Sequence, residues 1–71
     1  MSVVTARPGE PLSRREIQVL SFAAHGHNRK EAASRMGLSI WTVADYHRRA
    51  MVKLEARNMV HAVALWLRGA G

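Results

Sequence analysis

Trp41, Ala44, Asp45 and Arg48 recur at helical spacing within a stretch that reads as a helix from about Ile40 to Leu54. They fall together on one side, opposite Val43, Ala50 and Leu54 and part of Tyr46 or His47. An outward guanidinium at Arg48 can donate two bonds to a pair of acceptors such as guanine O6 and N7. A carboxylate at Asp45 can accept from cytosine N4, or pair with Arg48 or Arg49 along the helix. Thr42, Arg49 and Lys53 flank this side. Asn28, Arg29 and Lys30 open the preceding helix, where free N–H groups and the positive helix end favour an anion such as phosphate. The alternative for each cation is an ordinary solvated charge, and Arg14, Arg15 and Arg35 read as plain surface charges.

No such pattern supports catalysis. There is no cysteine among the 71 residues, which excludes a disulfide framework, a thiolate metal site and a thiol nucleophile. His25 and His27 flank Gly26 and can approach one ion, but no carboxylate or thiol nearby in sequence completes a shell, so they read as loop or helix-end histidines. His47 reads as packed partly against the core and His61 as exposed. Each acidic residue fits a cap, an exposed helix face or a loop. No enzyme activity, cofactor or metal is expected.

The elements that must position these side chains follow from capping signals. Ser13 with Glu16, and Asn28 with Glu31, form two capping boxes that predict helices from Arg14 to about His25 and from Arg29 to Gly37. Ile17, Leu20 and Ala24 define an apolar stripe on the first helix, broadened by Val19, Phe22 and Ala23. Ala32, Ala33 and Met36 line one side of the second. Gly37 suits a left-handed end, Leu38 turns inward and Ser39 caps the third helix. Small residues, a glycine in the turn and Val43 six residues past it let two helices cross closely, as in a helix-turn-helix. Asn58 caps a fourth helix through about Arg68, ended by Gly69. Between Met59 and Leu67 only His61 is polar, so this helix needs burial on two sides. Met59, Ala62, Val63 and Trp66 form a stripe for the core. Val60, Ala64 and Leu67 form a second stripe that asks for a partner, and a twin copy across a two-fold axis satisfies it.

A chain of this length makes one small domain. Eleven Lys and Arg against five Asp and Glu give a net charge of +6. Residues 1–11 carry none of that excess, 12–37 carry +3, 38–54 +2 and 55–71 +1. A basic folded domain is the footprint of a nucleic-acid binder. No apolar run approaches a membrane span, and no signal peptide is evident. These features suit a cytoplasmic protein that does not engage membranes. Pro8, Gly9 and Pro11 mark residues 1–11 as a flexible leader, with the folded domain over 12–71.

The stretch from Leu12 to Arg68 resembles the helix-turn-helix domain of LuxR-type (LuxR/FixJ or GerE) transcription regulators. The matching residues are Leu12-Ser13-Arg14-Arg15-Glu16, Val19-Leu20, Gly26, Asn28, Lys30-Glu31, Ala33, Met36-Gly37-Leu38-Ser39, Thr42-Val43, Lys53-Leu54, Asn58 and Ala62-Val63. Each motif is weak, and their joint order and spacing carry the match. The resemblance implies an all-α, four-helix domain whose third helix reads duplex DNA in the major groove, pairing as a homodimer on DNA through the fourth, near a promoter bound by RNA polymerase. It implies base contacts at Ala44, Asp45 and Arg48. Trp41 joins them against a thymine methyl or the sugar–phosphate backbone, or else covers the edge of the core. Ala44 offers a methyl contact alone. Lys53, about 280° around the helix from Val43, points sideways toward the backbone. In the family a segment like 1–11 links a sensory or phosphoacceptor domain to the DNA-binding domain; the chain is either a stand-alone regulator or a piece of something longer, and Met1 favours the first. Where the family commonly has glycine to end the third helix, this chain has Glu55.

Two other readings stand beside this one. A promoter-reading region of a sigma factor shares the leucine-rich first helix and the Thr-Val start of the third, but fits the capped fourth helix less well. A small interaction protein that pairs with a full-length regulator is compatible with the departures at Ala44 and Asp45.

Overall fold

A serine or an asparagine opens every helix. In a computed structural model, which describes residues 6–70, Ser13, Asn28, Ser39 and Asn58 cap α1 (Arg14–Ala24), α2 (Arg29–Met36), α3 (Ile40–Leu54) and α4 (Met59–Leu65). Each cap oxygen accepts the backbone N–H three residues on, which satisfies an otherwise orphaned donor and contributes about 1 kcal/mol. In α1 and α2 the carboxylate returns the bond. Ser13 N–H donates to Glu16 at 2.8 Å, and Asn28 N–H donates to Glu31 at 2.9 Å. The expected all-α architecture of four helices is present, with no strand among the described residues.

The helix ends follow the sequence with one adjustment. Gly37 ends α2 at φ 67°, and Leu38 N–H then donates to Ala33 O at 3.0 Å, folding Leu38 back toward the core. Glu55 adopts the same left-handed conformation at φ 55° to end α3, so the turn survives without glycine at a strain of order 1 kcal/mol. The Asn58 cap and Gly69 predict a fourth helix through about Arg68. Its α-helical part instead stops at Leu65, and a wider π-type turn spans Trp66–Ala70 around Gly69 at φ 99°. A left-handed residue beyond a helix closes a wider bond than the α-helical one, so Gly69 still makes the stop while the last turn opens.

Two core clusters lie on either side of α1. Val19 packs with Ala32 and Ala33 of α2 and Val43 of α3. Leu20 packs with Ala50 of α3 and Ala62 of α4, with Met59, Val63 and Trp66 against them. Adjacent residues on a helix point about 100° apart, so Val19 and Leu20 serve different neighbours while α3 runs past both. The stripe read from the sequence is therefore rotated. Ile17 and Ala24 are exposed, and the inward face of α1 is Glu16, Val19 and Leu20 with half-buried Ala23. Apolar counting passed over Glu16 because it is charged.

The leader is tied down over part of its length. Arg7 and Glu10 close a turn on each other, and Gly9 N–H donates to Lys53 O at 2.9 Å. Leu12 packs into the second cluster. The flexible leader expected over 1–11 thus gives way to a docked segment from Arg7 onward, because the end of α3 offers unpaired carbonyls. Residues 1–5 lie outside the described residues. Among the described residues no helix is long and apolar enough to cross a membrane.

Candidate nucleic-acid interface

The buried side of α3 is Val43, His47 and Ala50, with Tyr46 and Leu54 half-buried beside them. Directions around the helix then place Trp41 and Arg48 outward, and both are exposed, Trp41 by 81%. Ala44 and Asp45 lie between them, half-buried. All four thus share the face that the sequence assigned. Trp41 belongs to neither core cluster, which removes the reading of its ring as a cover for the core. Asp45 pairs with Arg49 at 3.3 Å, one turn on, rather than with Arg48. Arg48 forms no ion pair among the described residues.

The phosphate candidates divide. Arg29 and Lys30 are exposed at the first turn of α2. Asn28 is exposed but its carbonyl is engaged by Glu31 N–H at 2.8 Å. The Thr42 hydroxyl is 2.9 Å from Ser39 Oγ, within the cap of α3. Arg49 keeps part of its side chain at the surface. Lys53 is a correction. Its ammonium turns in to the Glu16 carboxylate at 2.8 Å and the Pro11 carbonyl at 3.0 Å, and its side chain is 12% exposed. A phosphate would have to compete with a buried carboxylate already in contact, so the Lys53 ammonium is not free to meet the DNA backbone while this pair holds.

Electrostatics link α2 to the middle of α3. Burial holds the His47 imidazole below its usual pKa, and the positive charge of Arg29 adds to the effect. Its Nδ1 has no hydrogen-bond partner among the described residues. For Glu16, burial raises the pKa, but the bonds from Lys53 and Ser13 and the Lys53 charge outweigh it and leave the carboxyl below its usual value. The other histidines take local roles. His25 Nδ1 lies 2.8 Å from Ser21 O. His61, expected exposed, is half-buried with Nδ1 accepting from Arg57 N–H at 3.1 Å. His27 meets Phe22 edge to face and approaches Glu31 at 3.9 Å, a carboxylate four residues on that the sequence reading overlooked. No three potential metal ligands converge among the described residues.

The pattern of the family described as bacterial regulatory proteins, luxR family (GerE), matches residues 10–66. This chain belongs to the luxR family. It is similar to the HTH-type transcriptional activator RamA of Corynebacterium glutamicum, 46% identical over 52 residues, which are 73% of this chain and 18% of RamA. It is 38% identical to the transcriptional regulatory protein DesR of Bacillus subtilis over 53 residues, 75% of this chain and 27% of DesR. It is 42% identical to the response regulator RamR of Streptomyces coelicolor over 55 residues, 78% of this chain and 27% of RamR. The chain thus spans about a quarter or less of these relatives.

Beyond the helix-turn-helix, the fourth helix of this luxR-family chain divides as its two stripes predicted. Met59, Ala62, Val63 and Trp66 face the second core cluster. Val60, Ala64 and Leu67 are exposed. Two features escaped the sequence reading. Glu16 has a signal in hindsight, since it shares offsets of three and four with Val19 and Leu20. Ile40, exposed beside Trp41, has none, because an apolar first-turn residue usually faces inward.

Proposed function

We propose that this chain is a sequence-specific DNA-binding module of a transcription regulator, with α3 lying in the major groove of duplex DNA. The observation that carries the reading is the outward face of α3, where Trp41 and Arg48 are exposed with half-buried Ala44 between them, together with the exposed cations Arg29 and Lys30 at the start of α2. In this reading Arg48 forks onto guanine, Trp41 and Ala44 touch base edges, and Asp45 meets cytosine N4 only if Arg49 releases it. Arg29 and Lys30 hold phosphates, with Arg49, Thr42 and Asn28 at the margin of the contact. Two copies pair on DNA through Val60, Ala64 and Leu67, each bound to one half-site. Residues 12–71 form the working unit and the leader enters it from one side. It acts in the cytoplasm by binding rather than catalysis, at promoters engaged by RNA polymerase.

Selection of bound duplexes from a random pool tests this directly. One enriched motif in two half-sites is expected. If about five phosphates are neutralised per subunit, log K falls against log salt with a slope of about −4 to −5 per subunit. A pool that shows no enrichment, or binding indifferent to salt, overturns the reading.

A further inference from the structure

The entry end of α3 is apolar where a groove-reading helix is ordinarily polar. Ile40 and Trp41 are both exposed, and Ala44 lies one turn on from each of them. The polar groups around them are occupied. The Thr42 hydroxyl is held at Ser39, and the Asp45 carboxylate is held at Arg49. What this end of the helix presents is therefore an indole face and a methyl group, with the Arg48 guanidinium farther along. In the major groove the one apolar feature of the four bases is the C5-methyl of thymine.

We infer that Trp41, with Ala44 beside it, reads thymine methyl groups and is a specificity-determining residue of this chain. This rests on the proposed placement of α3 in the major groove and names the base that its apolar end selects. Trp41 and Arg48 are seven residues apart, about 10 Å along the helix. The thymine therefore lies about two base pairs from the guanine that Arg48 reads, within the same half-site, since successive turns of a helix in the major groove meet successive bases. Recognition through a methyl group needs no donor or acceptor from the protein, which is why Ala44 serves at a position where a longer side chain would hold the indole away.

The test uses the whole chain and the duplex enriched from a random pool. Thymines are replaced one at a time by deoxyuridine, which removes the methyl and leaves base pairing unchanged. One or two positions per half-site are expected to lose about fourfold in affinity, the value of one buried methyl. Trp41→Ala is expected to bind the thymine and deoxyuridine duplexes equally, with circular dichroism unchanged because the indole packs on neither cluster. A duplex that is enriched but insensitive to deoxyuridine everywhere overturns this inference and leaves the DNA-binding reading standing. So does a deoxyuridine loss that persists in Trp41→Ala. Failure to enrich any duplex overturns both.

Discussion

Lys53 Nζ lies 2.8 Å from Glu16 Oε1, joining the last turn of α3 to the first turn of α1 through a carboxylate that is 2% exposed. The same ammonium holds the Pro11 carbonyl, and the Lys53 carbonyl accepts from Gly9 N–H. One residue thus fastens the recognition helix, the first helix and the leader. Removing one partner of a buried pair strands the other's charge. Lys53→Ala is expected to lower unfolding free energy in urea by about 3–5 kcal/mol. The double replacement Glu16→Leu with Lys53→Met should recover part of that loss, since two apolar side chains strand no charge but leave the Ser13 N–H and the Pro11 carbonyl without their partners. A Lys53→Ala variant as stable as the parent would refute the role given to this pair.

Arg48 and Lys30 should separate reading from holding. Arg48→Ala is expected to cost about 1–3 kcal/mol and to relax preference at one base pair per half-site. Lys30→Ala should weaken all duplexes alike and flatten the salt slope by about one unit per subunit. Affinities across a panel of single-base operator changes check both. A uniform loss in Arg48→Ala would move that residue to the backbone and leave base reading to Trp41 or to DNA shape.

His47 should give the domain an acid-sensitive step. Its imidazole is held below the usual value by burial and by Arg29, so the unfolded chain binds a proton that the folded chain resists. Stability is then flat above the ordinary histidine range near pH 6.5 and falls as pH drops through it, by at most about 1.4 kcal/mol per pH unit. The Glu16 carboxyl, held below its usual value, retains its contribution here and loses it only at more acid pH. Urea denaturation between pH 7 and 5.5 measures the slope. His47→Gln should flatten it, and an equal slope in that variant would place the titration elsewhere.

Capping, turns and helix order were legible because each depends on residues within one turn of each other. Asn28 with Glu31, and Gly37 after Met36, carry their geometry locally. The four residues on the outer face of α3 were legible for the same reason, since one buried Val43 orients the first half of the helix. Lys53 was not. Measured from Val43 it points sideways, but measured from buried Ala50 it lies only about 60° from the inward direction. A long side chain then reaches a partner 37 residues earlier in the chain, which periodicity cannot reveal. The choice of Asp45 between Arg48 and Arg49 was equally hidden, because both spacings are favourable on a helix and packing decided between them.

The fourth helix offers the last test. Val60 and Ala64 of α4 and Leu67 of the wide turn that follows it are all exposed, outside the cluster of Leu20 and Ala50. The stripe is short, since α4 has only seven residues before its wide final turn, so in the proposed dimer pairing is expected to be weak in free solution and to be strengthened when DNA holds two copies together. In the proposed dimer Leu67→Lys places two like charges across the two-fold axis, and it should abolish cooperative binding to adjoining half-sites. Single half-site affinity and helicity should be unchanged, because Leu67 does not pack on the core. Titrations of one-site and two-site duplexes, with circular dichroism, distinguish these effects. Cooperativity that survives Leu67→Lys would show that the copies meet through another surface, or act independently.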